Sequence, residues 1–159
     1  MRYTTKELST AAVFAALYAA LVVAFSPISF GPLQFRVAGV IRPGIARMRI
    51  LAAAYALGVV VGNVVSPYAG VYEFLFMPAA SLAAGLIGHE AAKRLGGGYW
   101  ICGAIVGTII PVCVAWMLEQ LFNLPIAASL PGLFVSEQLV NIVGSMVFTA
   151  LDRRFKWWT

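Results

Sequence analysis

Outside its basic clusters, the sequence keeps most of its strongly polar side chains in a few short stretches. Gln34 and Arg36 form the first and Asn63 the second; Tyr72 and Glu73 form the third. Trp116 and Glu119 form the fourth, and Glu137, Gln138 and Asn141 the fifth. A carboxylate accepts N–H donors, an amide both donates and accepts, and a guanidinium only donates. Such a set could hold a small polar molecule by its edges, with Trp116 as a ring to stack on. It offers little for making or breaking bonds. His89 is the single histidine, so no His pair can build a common zinc or iron site. No GxxxxGK followed by Ser or Thr is present, so ATP is not held on a Walker A loop. No Ser-His-Asp or Cys-His set fits on one face. The expectation is a binding protein with no catalytic residues, no cofactor and no metal.

The elements that must position these residues are membrane helices. The 159 residues are 62% hydrophobic and 11% charged, with mean hydropathy +0.90. A soluble domain is nearer half apolar and about a quarter charged, and a chain this apolar would expose oversized greasy patches to water. The length allows one compact bundle, a single transmembrane domain over residues 1–159. Apolar runs and their breakers predict helices at about 8–25, 34–43, 50–65, 71–92, 99–122 and 132–151. The first follows a basic start with no clear small-residue cleavage pattern, so it is read as a retained helix. Thr4 or Thr5 can cap it and Pro27 ends it. The segment 34–43 is too short to cross ~30 Å of hydrocarbon alone. It is expected to be short or irregular and sheltered by its neighbours, because lipid does not tolerate loose backbone. Pro78 and Pro111 are expected kinks. Cys102 and Cys113 are separated by ~16 Å of helix rise, too far for a disulfide.

Charge sets the orientation. Arg2 and Lys6, then Arg42, Arg47 and Arg49, then Lys93 and Arg94, and finally Arg153, Arg154 and Lys156 all fall on one side of a six-helix path. That side is the cytoplasm by the positive-inside rule, with both termini there. For the same reason the net charge of +5 does not imply nucleic-acid binding. The loops at 26–33, 66–70 and 123–131 hold no charged residue, and Arg36 is the lone basic group at the outer end. The polar set collects there too. Each member is costly beside lipid, so each should point inward to a partner or a water-filled cavity. Glu137, Asn141 and Ser145 repeat every four residues and share one face.

Plainer readings compete. Glu73 and Glu137 could simply sit at helix N-termini, where the dipole favours a carboxylate. Arg36 could be a counter-ion for one of the glutamates, Asn63 a helix cap and Trp116 ordinary core. His89 and Glu90 read as solvated. The Ala12, Ala16 and Ala20 stripe is either packing inside the bundle or a close-approach face for a separate membrane subunit.

The run Ser26-Pro27-Ile28-Ser29-Phe30-Gly31-Pro32-Leu33-Gln34-Phe35-Arg36-Val37, after the alanine-rich Ala12–Tyr18, resembles the QueT family. So do Gly62-Asn63-Val64-Val65-Ser66-Pro67 with Glu73 beyond, and Ser136-Glu137-Gln138-Leu139. The resemblance implies an all-α, six-transmembrane-helix bundle in a prokaryotic plasma membrane. It implies the substrate-binding (S) component of an energy-coupling factor (ECF) transporter, which takes queuine or a related deazaguanine base from outside. It further implies a transmembrane (T) partner docked on the Ala12, Ala16 and Ala20 face, and two cytoplasmic ATPases that hydrolyse the ATP. An S component for another vitamin-like nutrient, or a non-transporting membrane scaffold, is the alternative. Where family members often carry Ser-Glu-Ala, this chain reads Ala38-Gly39-Val40, which leaves room for a different substrate.

Overall fold

Thr4 opens the first helix with a capping box: its hydroxyl accepts from the Glu7 N–H, and the Glu7 carboxylate accepts from the Thr4 N–H at 2.8 Å. The computed structural model describes residues 3–30, 35–96 and 98–158. Helix α1 (Thr5–Ala24) is followed by a single turn, α2 (Ser26–Ser29), and by a 3-10 segment, Val37–Ala46. Helix α3 (Ile50–Gly62) ends in a 3-10 turn, Asn63–Val65. A π-turn, Tyr72–Phe76, leads into α4 (Met77–Leu95), and α5 (Gly98–Phe122) and α6 (Ile126–Arg154) complete the chain. There is no strand among the described residues.

Among the described residues, four stretches are long and apolar enough to cross a membrane: Thr5–Ala24, Tyr72–Leu95, Gly98–Phe122 and Ile126–Arg154. Val37–Ala46 and Ile50–Val65 are apolar but shorter. Large apolar side chains face outward along the bundle; Leu57, Val61, Leu75, Leu139 and Met146 are all more than half exposed. Hydrocarbon covers such a surface and water does not. The chain is a membrane protein.

Small residues set the helix contacts, as they must where lipid is as apolar as the side chains. Gly58 abuts Tyr18 and Ala15, and Gly62 abuts Val22, so α1 and α3 run parallel. Gly85 abuts Ala52 and Gly88 abuts Cys102, so α4 is antiparallel to α3 and α5 antiparallel to α4. Gly103 faces Ser145 and Gly107 faces Asn141 and Gln138, which sets α6 antiparallel to α5. The GxxxG pair is thus an internal seam. The six longer segments therefore run alternately up and down. Arg47, Lys93 and Arg153 meet at one end. At the other, Ser26, Pro27 and Phe30 meet Val65 and Pro67, and the Tyr68 ring meets Phe122 at 5.0 Å.

The structure revises several expected boundaries. The irregular second segment is a 3-10 helix that continues through Pro43 to Ala46. Pro43 has no N–H to give the Val40 carbonyl three residues back. That carbonyl instead occupies the space where a side chain on Gly144 of α6 would stand. Pro78 lies in the first turn of α4, directly after the π-turn, where its missing N–H costs little. Helix α6 begins six residues before the expected start at 132 and takes in Pro131, so Glu137 is an interior residue and not a helix opener. Arg42, expected in a cytoplasmic basic cluster, is fully buried. His89, expected to be solvated, is half-buried with Nδ1 2.9 Å from the Ile45 carbonyl. Cys102 and Cys113 are both free.

The Gly144 contact gives a direct test. Gly144→Ala should lower the thermal stability of the purified protein by about 2 kcal/mol or more, because backbone and not a flexible side chain must move. Gly70→Ala, with only the Tyr68 carbonyl near at 3.7 Å, should leave the melting temperature unchanged. Equal melting curves for both variants would contradict the packing described.

Candidate ligand site

Two polar clusters occupy the bundle at different depths. The deeper one is built around Arg42, which the 3-10 segment carries into the centre. Its Nη1 donates to Glu137 Oε2, and Nη2 donates to the Tyr18 hydroxyl at 3.2 Å. Tyr18 and Tyr55 pack edge-on at 5.0 Å, and the guanidinium carbon lies 5.3 Å from the Tyr55 ring centre. Aromatic faces suit a planar, weakly hydrated cation. Asn141 Nδ2 donates to the Glu137 carbonyl at 2.8 Å and reaches its Oε2 at 3.5 Å. The Ser145 hydroxyl sits within reach of the Asn141 and Tyr99 carbonyls, at 2.8 and 3.1 Å. Glu137, Asn141 and Ser145 thus share an inward face, as their spacing predicts, but Arg42 takes up the Glu137 charge. Gly39 is what lets the guanidinium lie there: a side chain at that position would meet Arg42 Cζ at 3.1 Å and Val140 Cγ1 at 2.9 Å.

The second cluster lies at the end formed by the uncharged loops. The π-turn adds a residue to the coil there, and Glu73 within it is fully buried. Asn63 Nδ2 donates to the Glu73 carboxylate and, at 3.1 Å, to its carbonyl. The Ser66 hydroxyl reaches Glu73 Oε1 at 3.4 Å. Asn63 is the residue just past α3, yet its side chain bridges to Glu73 and does not cap the helix. Arg36 is 5% exposed; its guanidinium carbon lies 5.3 Å from the ring centre of Phe30, which meets Val65 and Pro67 just past Asn63. Among the described residues Arg36 makes no ion pair within 4.0 Å. Ser29 Oγ and Asn63 Oδ1 are buried with no hydrogen-bond partner among the described residues. Buried polar atoms are rarely left so, and Arg42 Nε and Asn141 Oδ1 of the deeper cluster share this condition among the described residues.

Beside this cluster is an aromatic shelf. Trp116 of α5 lies 4.8 Å from Phe76 and 5.9 Å from Tyr72, ring centre to ring centre. It is 38% exposed, so the ring is not wholly consumed by packing. Glu119, about one turn further along α5, is half-buried and has no side-chain partner among the described residues.

The chain matches the QueT transporter family over residues 8–153. It belongs to that family. QueT proteins are substrate-binding components of transporters. No curated protein and no solved structure matches the chain.

In this QueT protein the candidate residues divide. Arg36, Asn63 and Glu73 come together at the rim, with Tyr72 and Trp116 on the adjoining shelf and Glu119 beyond. Glu137 and Asn141 belong to the deeper cluster. Gln138 stands apart: its Nε2 reaches Thr108 Oγ1 at 3.1 Å on the outer flank of the α5–α6 contact. Gln34 lies outside the described residues. Sequence reasoning missed Arg42, Tyr18 and Tyr55, although an arginine inside the apolar run Val37–Ile45 was a signal. It also missed Ser29 and Ser66, whose hydroxyls nothing in the sequence distinguishes.

The deep ion pair predicts its own mutational pattern. Removing one partner leaves the other charge buried, which costs about 3–5 kcal/mol, whereas exchanging both for apolar groups costs far less. Glu137→Leu and Arg42→Met should each destabilise strongly, and the double variant should melt closer to wild type than either. Additive losses across that double-mutant cycle would show that the two charges do not depend on each other.

Proposed function

We propose that this QueT protein is the S component of an ECF transporter, capturing a queuosine precursor, queuine or a related deazaguanine base, from outside the cell. In this reading all six longer segments cross a prokaryotic plasma membrane. Val37–Ala46 and α3, each shorter than the hydrocarbon, are sheltered by their neighbours, and both termini are cytoplasmic. The ligand binds at the rim formed by the loop after α1, the α3 end and the π-turn.

The observation that carries this reading is the buried Glu73–Asn63 pair with Arg36 beside it. A carboxylate has about four lone-pair directions, and Asn63 and Ser66 use only part of that capacity. What is left matches the N–H edge of a guanine-like base, and Arg36 matches a ring carbonyl. Trp116 and Tyr72 offer a flat ring a surface. With Glu137 neutralised by Arg42, the rim retains Glu73 and Glu119 against Arg36. That balance favours a neutral or cationic ligand over an anion. ATP hydrolysis belongs to two partner ATPases, reached through a T subunit. The exposed Ala12, Ala16 and Ala20 stripe supports docking to that subunit, because Ala11 and Ala19 already serve the internal contacts of α1.

Titrating the detergent-purified protein with queuine and its deazaguanine precursors should raise its melting temperature. Adenine should not. Arg36→Gln and Glu73→Gln should each weaken binding at least about tenfold, roughly 1.4 kcal/mol. Trp116→Ala, at a partly exposed site, should weaken it less while leaving unliganded stability near wild type. If no deazaguanine base binds above background, the substrate assignment fails.

Partner docking has a separate readout. Ala16→Leu should reduce copurification with the T subunit and ATPases and leave the ligand-induced melting shift intact. Undiminished copurification would remove this face of α1 from the interface.

A further inference from the structure

At the end opposite the rim, a cleft of about 780 Å³ opens between the 3-10 segment, the α4–α5 turn and the end of α6. Its walls carry Arg47, Lys93, Arg153 and the half-buried His89, against the single carboxylate of Asp152. That carboxylate is already engaged. It pairs with Arg47 at 2.8 Å and accepts from the Tyr99 hydroxyl at 2.6 Å. Arg47 is held between the Tyr99 and Trp158 rings, 4.8 and 4.6 Å from their centres. Lys93 and Arg153 are exposed and form no ion pair among the described residues. His89 donates its Nδ1–H to the Ile45 carbonyl, because a carbonyl can only accept, and this leaves Nε2 to face other company. The cleft thus combines a preorganised arginine with two uncommitted cations, and its carboxylate is spent.

We propose that this cleft binds the phosphate-bearing headgroup of an anionic phospholipid. Its volume is within the range of ligand sites, about 300–1,000 Å³, and exceeds what an inorganic anion needs. Trp100, one of its lining residues, is 45% exposed on the outer surface, so the cleft opens sideways beside a lipid-covered face. Trp100 and Trp158, neither of them buried, mark the level where headgroups meet hydrocarbon. Basic pockets between helices on the positively charged side are a recurring means of holding such headgroups. The inference uses the membrane character of the chain and is independent of the substrate.

The test uses delipidated protein in a neutral detergent, with no substrate present. Phosphatidylglycerol should raise the melting temperature by several degrees, whereas phosphatidylcholine and millimolar inorganic phosphate should not. Native mass spectrometry should find phosphatidylglycerol retained on the protein. The double variant Lys93→Gln, Arg153→Gln changes only exposed side chains. It should match wild type without lipid, and lose both the shift and the retained lipid. Equal stabilisation by phosphatidylcholine overturns the proposal, as does a full shift in the double variant. If inorganic phosphate alone reproduces the effect, the site is one for free phosphate and the lipid assignment is wrong.

Discussion

A charged pair buried at the centre of an apolar bundle is the constraint from which the rest of this structure follows. Arg42 and Glu137 sit in contact with almost no exposure to solvent. Desolvating two ions is expensive and their attraction offsets it only in good geometry. The surrounding residues supply that geometry. Tyr18 and Tyr55 close around the guanidinium, Asn141 reaches the carboxylate at 3.5 Å, and Gly39 leaves the guanidinium room. The pair ties the 3-10 segment to α6, while the tyrosines extend the tie to α1 and α3. It thereby fixes the two segments too short to span alone against two that are long enough.

The 3-10 geometry belongs to the same solution. Pro43 leaves the Val40 carbonyl without its donor, and the thin helix brings that carbonyl against Gly144. A side chain at 144 would push the segment away from α6 and draw Arg42 off Glu137. Glycine at 39 and 144 thus serves the ion pair as directly as the charged residues do. At the rim the logic differs. Glu73, Asn63 and Ser66 form a local set on one loop and its π-turn, and Arg36 packs on Phe30 of another loop.

Much of this was legible in the sequence. Composition required a membrane protein, and the family resemblance came from contiguous motifs at Ser26–Val37, Gly62–Pro67 and Ser136–Leu139. The inward face of Glu137, Asn141 and Ser145 followed from helical spacing. The partner of Glu137 did not, because charge counting placed every arginine near Pro43 in the cytoplasm. That rule weighs loop charges and has no means of recognising an arginine paired inside the bundle. The start of α6 was misplaced because Pro131 reads as a breaker, whereas the helix carries it inside, as its sixth residue, and forgoes one bond to the Ala127 carbonyl. The bridge between Asn63 and Glu73 depends on a π-turn, and a one-residue bulge leaves no periodic trace.

The separation of the two clusters bears on how such a protein can change over evolutionary time. The ion pair, its tyrosines and the glycine seams bear the integrity of the bundle, and exchange there risks the whole molecule. Phe30 and Arg36 are joined to that framework through a loop, and Trp116 and Glu119 stand on α5 beyond its glycine contacts. With the ligand at the rim as proposed, descendants of one ancestral bundle could come to hold chemically unrelated nutrients by replacing a handful of rim side chains, with the framework beneath them inherited intact.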